Sequence, residues 1–204
     1  MKKAFFALIA VLSAVALISS PAVATAVTIG GLTFTELSND LYFHSGSGTG
    51  TEADPILLYE DVFGLDVTMS IGGMDTIGDP SGGPYASGFF IKKIVTNCTQ
   101  QAWTFYDLEL QEILGTASAE GDGLSFAQGW PAWRPWTSDK FSHVDEITDV
   151  RDFINFSNGI VNPSETVSFS FVITDNSPTD LFYLRQRPNY HPGRVPEPAT
   201  MLLL

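Results

Sequence analysis

The stretch Thr166-Val-Ser-Phe-Ser-Phe-Val-Ile-Thr174 alternates polar and apolar side chains over most of its length. Successive side chains of a β-strand point to opposite faces, so this alternation predicts a strand with one buried and one solvated face. Other strand-like runs occur throughout the chain, at 27–37, 41–44, 56–59, 62–71, 88–96, 102–110, 124–127, 152–156 and 181–186. Stretches rich in glycine, proline and asparagine separate many of these runs, as at 45–50, 78–84 and 120–123, and are typical of turns.

Many short strands separated by turns predict an all-β fold with little helix. We expect an antiparallel two-sheet β-sandwich of the jelly-roll or immunoglobulin-like kind. The expected core contains large apolar side chains from several of the predicted strands: Phe90, Ile94, Trp103, Phe105, Leu108, Phe169, Phe171 and Ile173.

The first 26 residues have the pattern of a secretory signal peptide. Two lysines at positions 2 and 3 precede an apolar run at 4–18, and small residues end the segment at Ala24-Thr-Ala26. We expect signal peptidase to cleave before Val27, with an uncleaved membrane anchor as the alternative. About 178 residues then remain, which suits one domain over 27–187. A proline-rich spacer at 188–194 and a short tail at 195–204 complete the chain.

The charge balance is strongly acidic, with a formal net charge of -13. Removal of the two signal-peptide lysines leaves eight basic residues against 23 acidic ones, so the mature protein is more acidic still. Such a surface repels nucleic acid and anionic membranes, but leaves neutral polymers and divalent cations as partners. Cys98 is the single cysteine, so no internal disulfide forms. Cys98 has two interpretations: it is a half-buried free thiol, or it forms a disulfide with another chain.

The tail Val195-Pro-Glu-Pro-Ala-Thr200, followed by Met-Leu-Leu-Leu204, resembles the opening of the PEP-CTERM sorting signal. Complete members of that family carry this motif, a membrane-spanning helix and a basic cluster, and an exosortase of Gram-negative bacteria that make exopolysaccharide recognises the signal. By this resemblance Pro196, Glu197 and Pro198 are the recognition residues. Four apolar residues are too few for a membrane span, which needs roughly 20. We therefore expect the sorting signal to continue beyond Leu204; the alternative is that the anchor is lost and the product is released.

No catalytic residues are predicted. The sequence contains neither a Gly-x-Ser-x-Gly elbow nor a His-Glu-x-x-His motif, and its histidines are far apart, at His44, His143 and His191. Ser142-His143-Val-Asp145 contains the residue types of a triad, but residues so close in sequence cannot reach one another in that geometry. We expect a protein that is not an enzyme and has no cofactor.

A cluster of acidic residues is the one candidate for metal binding. Asp145, Asp149 and Asp152 lie close in sequence, and hard oxygen ligands suit calcium outside the cytoplasm. The EF-hand pattern is absent. A solvated acidic face explains the same residues, so we predict no firm metal site and keep calcium as the weaker alternative.

The segment Gly129-Trp-Pro-Ala-Trp-Arg-Pro-Trp136 is the most distinctive surface candidate. Rigid aromatic rings of Trp130, Trp133 and Trp136 on a loop are suited to stacking on sugars, and Arg134 can add hydrogen bonds. The alternative is a plug, in which the tryptophans fold back over an open end of the sandwich. The plug is the favoured interpretation of this segment.

Two functions follow from these features. The first is a non-enzymatic exported protein of the cell surface or exopolysaccharide, delivered by signal peptidase, sorted by exosortase and transiently membrane-anchored. The second is a carbohydrate-binding module that holds an extracellular polysaccharide through the tryptophan segment.

Overall fold

A computed structural model describes residues 24–80, 84–118, 121–127, 136–145 and 152–190. Within this part of the chain the secondary structure is almost entirely β. The strands, in chain order, are β1 Ala26–Ile29, β2 Leu32–Glu36, β3 Leu41–Ser47, β4 Ile56–Val62, β5 Val67–Gly72, β6 Ser87–Asn97, β7 Tyr106–Gln111, β8 Leu124–Ser125, β9 Thr137–Ser138, β10 Phe141–Asp145, β11 Phe153–Gly159, β12 Thr166–Asp175 and β13 Leu181–Pro188. One short 3-10 turn, Met74–Thr76, is the only helical element of the described residues.

The strands form two sheets that pack together as a β-sandwich, which confirms the predicted fold class. The seven-stranded sheet has the order β1-β2-β5-β13-β7-β11-β10, and the six-stranded sheet includes β3-β4-β6-β12-β8, with β9 also paired to β12. All strand pairs are antiparallel except β4 with β6, which run parallel. The last strand, β13, therefore lies at the centre of the seven-stranded sheet, between β5 and β7.

The stretch 166–174 behaves as its alternation predicts. It forms β12, which pairs with β6 over ten residues, from Thr166 opposite Thr96 to Asp175 opposite Ser87. Phe169 of β12 points into the sandwich and contacts Tyr106 of the other sheet, with ring centroids 4.5 Å apart. Six of the predicted core residues are buried as expected: Trp103, Phe105, Leu108, Phe169, Phe171 and Ile173.

The other two predicted core residues, Phe90 and Ile94, lie on the opposite face of β6. Phe90 is buried outside the main core, against Val172 and Ala127, and Ile94 is half-buried. Phe90 is therefore buried as predicted, but in a small separate cluster, whereas the prediction that Ile94 is a core residue is wrong. The inward residues of β6 are those at odd positions, which include Phe89, Ile91 and Val95.

The predicted strand at 27–37 is two strands joined by a tight hairpin. Gly30 and Gly31 have φ angles of 60° and 87°, a left-handed conformation that glycine adopts without strain. Ile29 pairs with Leu32 across this turn. The hairpin places β1 at one edge of the seven-stranded sheet.

Candidate functional site in the sandwich core

Two oppositely charged side chains lie inside the sandwich, at positions where the alternation of the six-stranded sheet otherwise places apolar residues. Lys93 lies between Ile91 and Val95 on the inward face of β6, and Glu60 lies on the inward face of the neighbouring strand β4. Both side chains have no exposed surface. Burial of a single charge is costly, so the lysine and the carboxylate depend on each other.

Two polar side chains reach the same region from the opposite sheet. Gln186 is on the inward face of β13, and Tyr106 is on the adjacent strand β7, where it pairs with Pro188. Both residues are fully buried. We call Lys93, Glu60, Gln186 and Tyr106 the Lys93 cluster.

An ion pair and three hydrogen bonds link the polar side chains of the Lys93 cluster. The Lys93 Nζ atom is 2.5 Å from Glu60 Oε1 and also donates a hydrogen bond to Gln186 Oε1. Gln186 Nε2 donates to Glu60 Oε2 at 3.0 Å, and the Tyr106 hydroxyl donates to Gln186 Oε1 at 2.7 Å. The side-chain amide of Gln186 is thus held at both ends, with two donors on its oxygen and a carboxylate on its nitrogen.

Burial changes the acid–base properties of this cluster. Burial lowers the pKa of the Lys93 amine, although the neighbouring Glu60 carboxylate partly opposes that effect. Burial, together with the charge of Glu60, raises the pKa of the Tyr106 hydroxyl well above its ordinary value. The lysine therefore gives up its proton more readily than a solvated lysine does, whereas the tyrosine remains a hydrogen-bond donor.

A second buried ionic group lies on the outward face of the seven-stranded sheet. Arg187 of β13 donates to Asp107 Oδ2 through Nε at 2.9 Å and Nη2 at 2.6 Å, and Nη2 also donates to Glu109. The guanidinium carbon lies 3.6 Å from the centroid of the Tyr190 ring. Gln111 Nε2 donates to Glu109 Oε1 at 2.9 Å. We call Arg187, Asp107 and Glu109 the Arg187 cluster, and all three are nearly inaccessible to solvent.

The predicted tryptophan segment is described only at Trp136, because Trp130, Trp133 and Arg134 lie outside the described residues. Trp136 is half-buried and packs against the main core. Its indole Nε1 donates to the backbone oxygen of Phe126 at 3.1 Å. The plug and the sugar-binding interpretations of the whole segment both stay predictions.

The predicted calcium candidates do not come together as a described site. Asp145 ends β10 and is exposed, Asp152 is buried, and Asp149 lies outside the described residues. Within the described ranges no three or more His, Cys, Asp or Glu side chains are arranged to hold a metal ion.

Cys98 follows β6 and is half-buried, as one of its two interpretations predicts. Burial and the negative charge of Asp61 raise the pKa of its thiol. The reactive thiolate form is therefore disfavoured.

Three carboxyl groups form a repulsive acidic group beside β8. Burial and then the charge of Asp122 raise the pKa of Glu112, and burial is also the main cause of the raised pKa of Asp175, with Asp122 adding to it. Asp122 Oδ1 accepts a hydrogen bond from the Leu124 backbone at 3.1 Å. An asparagine keeps this acceptor oxygen while it removes the charge.

We expect Asp122→Asn to raise the melting temperature at pH 7. A carboxyl with a raised folded pKa binds protons more tightly in the folded state, so stability falls as pH rises through the window that begins near pH 4. Without the charge of Asp122 the pKa values of Glu112 and Asp175 are raised less, so stability falls less as the pH rises. Thermal melts at pH 7 and pH 3 check the expectation, since the difference should disappear at pH 3. Glu52→Gln is the control, because Glu52 is exposed and its replacement reports the general effect of a smaller net charge. An equal rise of the melting temperature in this control contradicts local repulsion by Asp122.

The residues predicted for export and sorting are only partly described. Ala24 precedes β1, Ala26 begins it opposite Thr35, and Val27 pairs with Phe34. Pro196, Glu197 and Pro198 lie outside the described residues. No helix among the described residues is both long enough and apolar enough to span a membrane.

Sequence reasoning did not identify any member of the Lys93 cluster. The sequence of 56–62 does contain a clue to Glu60. This residue alternates in step with Ile56, Leu58 and Val62, so it belongs to the same inward face of the strand. A charged residue at an inward position of a strand indicates a buried polar group with a partner. The partner could not be found in the same way, because Gln186 is 126 residues from Glu60 in the sequence.

Comparison with known proteins adds no family assignment: no family model, curated protein or solved structure matches this chain. The arrangement of the residues is therefore the basis on which function is inferred.

Proposed function

We propose that this chain is an exported structural domain of the bacterial cell surface or exopolysaccharide, which an exosortase sorts through Pro196, Glu197 and Pro198. The N-terminal 26 residues direct export, and signal peptidase cleaves before Val27. The domain itself is a non-enzymatic β-sandwich that presents an acidic surface to the matrix. Its partners are signal peptidase and the exosortase during export and neutral polysaccharide afterwards.

The position of β13 is the observation that supports this proposal. The spacer and the sorting motif follow this strand, so a domain attached through its tail is held by β13. The strand is hydrogen-bonded on both sides, to β5 and to β7. Near its end, Gln186 belongs to the Lys93 cluster and Arg187 to the Arg187 cluster. Tension along the tail therefore acts on an interior strand of the sheet.

The proposal predicts that Pro196→Ala combined with Pro198→Ala blocks processing. Proline restricts the backbone and favours extended conformations, and alanine removes that constraint. In the full-length precursor, expressed in a host with an exosortase, we expect the double variant to accumulate unprocessed in the membrane fraction. Immunoblots of cell fractions and the mass of the mature product measure this.

Pro192→Ala is the matched control, because it changes a proline of the same spacer outside the motif. It should mature like the natural protein. Normal maturation of the double variant, or an equal block in the control, contradicts recognition at this motif.

A further inference from the structure

We propose that the Lys93 cluster forms an intramolecular amide cross-link between Lys93 Nζ and Gln186 Cδ, with loss of ammonia. The bond joins β6 of one sheet to β13 of the other through the core. Its formation needs only the folded chain, and the inference does not depend on how the protein is sorted.

The first requirement is a nucleophilic amine in contact with the acyl group. Lys93 Nζ already contacts the oxygen of the Gln186 amide, in a region that solvent does not reach. The carboxylate of Glu60 lies 2.5 Å from the same nitrogen and can accept its proton. Burial, which lowers the pKa of this lysine, favours the neutral amine that attacks.

The second requirement is an activated amide carbonyl. Gln186 Oε1 accepts a hydrogen bond from the Tyr106 hydroxyl at 2.7 Å. That donor stabilises the negative charge that develops on the oxygen when the amine adds to Cδ, in the manner of an oxyanion hole. Since the pKa of Tyr106 is raised, the hydroxyl keeps its proton throughout.

The third requirement is a proton for the leaving group. Gln186 Nε2 donates to Glu60 Oε2 at 3.0 Å, so one carboxylate touches both the attacking and the departing nitrogen. A proton passes from Nζ to Glu60, and Nζ adds to Cδ to give a tetrahedral intermediate. Glu60 delivers that proton to Nε2, the Cδ–Nε2 bond breaks, and the carbonyl re-forms.

The atoms and charges balance without any further reagent. The lysine ammonium begins with three protons, of which one remains on the new amide nitrogen. The other two travel through Glu60 to the departing nitrogen, which leaves as ammonium. Glu60 ends as the carboxylate that it was at the start, and no oxidant or reductant is required.

Gln186 is a better acyl partner than Glu60. The carbonyl oxygen that accepts from Tyr106 belongs to Gln186, and an ionised carboxylate resists attack by an amine. The roles therefore divide between the two residues: the amide is the electrophile and the carboxylate transfers protons. A bond to Glu60 would instead release water, which a mass measurement distinguishes from ammonia.

The mass of the full chain, purified after export and shown by circular dichroism to be folded, tests this assignment. We expect a mass one ammonia below that calculated for the mature sequence, and a peptide in which Lys93 and Gln186 are linked. The full calculated mass, or the loss of a water, overturns the assignment. An Asn158-Gly159 succinimide also loses ammonia, so the linked peptide itself is the deciding observation.

Four variants make the test specific. Lys93→Met and Glu60→Gln should abolish the linked peptide, because they remove the amine and the proton-transfer group. Gln186→Leu should also abolish the linked peptide, because it removes the acyl group. Lys92→Met, at the neighbouring position on the outward face, should retain the link. Formation of the linked peptide in Glu60→Gln at the natural rate contradicts the role of the carboxylate. A cross-linked peptide that still contains Gln186 in Lys93→Met contradicts the whole assignment.

Discussion

Arg187→Met should lower the free energy of unfolding by about 3–5 kcal/mol, the usual cost of removing one partner from a buried ion pair. Methionine fills much of the same volume, but leaves Asp107 and Glu109 close together without their cation. Both carboxylates are almost fully buried, so water cannot replace the guanidinium. Urea unfolding followed by fluorescence measures the change, with the m-value as a check that the transition is unaltered.

Arg185→Met is the matched control for this prediction. Arg185 lies two residues earlier on the same strand and makes a two-pronged ion pair with Asp66, at 2.7 Å and 2.5 Å. Both side chains of that pair are substantially exposed, so its removal should cost no more than about 1 kcal/mol. Adding Asp107→Asn to Arg187→Met should recover part of the loss. Equal losses in the two single arginine variants would show that burial does not decide the strength of these pairs.

Phe169→Ala should also lower the free energy of unfolding by about 3–5 kcal/mol, through the lost aromatic surface and the cavity left behind. Phe169 is fully buried on β12. Its ring lies 4.5 Å from Tyr106 and 4.8 Å from Phe156, between centroids, and stacks on Phe141 at 6.0 Å. All three neighbours lie on the seven-stranded sheet, which faces β12, so the cavity opens between the two sheets. Thermal and urea unfolding both measure the loss.

Ile94→Ala provides the comparison, because this residue lies on the partner strand but on the outward face. Because its side chain is only half-buried, truncation should lower the free energy of unfolding by about 1 kcal/mol. If the Ile94 variant lost as much stability as the Phe169 variant, the assignment of the two faces of β6 would be wrong.

The two sides of the β12–β6 pair show what alternation can predict. In β12 the large apolar residues Phe169, Phe171 and Ile173 alternate with Ser168, Ser170 and Val172, so most of the apolar volume lies at odd positions. That pattern alone identifies the inward face. In β6 the stretch Phe89-Phe-Ile-Lys-Lys-Ile-Val95 offers apolar residues at both parities, together with one lysine at each. The sequence alone predicted the wrong face there, since neither choice avoids turning a lysine inward.

The partner of Lys93 resolves this ambiguity. β4 pairs in parallel with β6 and brings the inward carboxylate of Glu60 to the amine, and the opposite sheet adds Gln186. Lys92 has the other parity and lies on the outward face. Strand pairing and charge compensation thus decide which side chains of β6 point inward. Neither can be inferred from the sequence of β6 alone.

Linear order and local pattern were enough for several conclusions about this protein. The all-β class and the inward face of β12 depend on residues close together in sequence, and so do the proposed export segment and sorting motif. The Lys93 cluster and the Arg187 cluster depend on strands that are distant in sequence and meet only in the folded sandwich. Burial then gives these groups their chemistry, because charges removed from water must find partners, and only the tertiary structure decides which partners they meet.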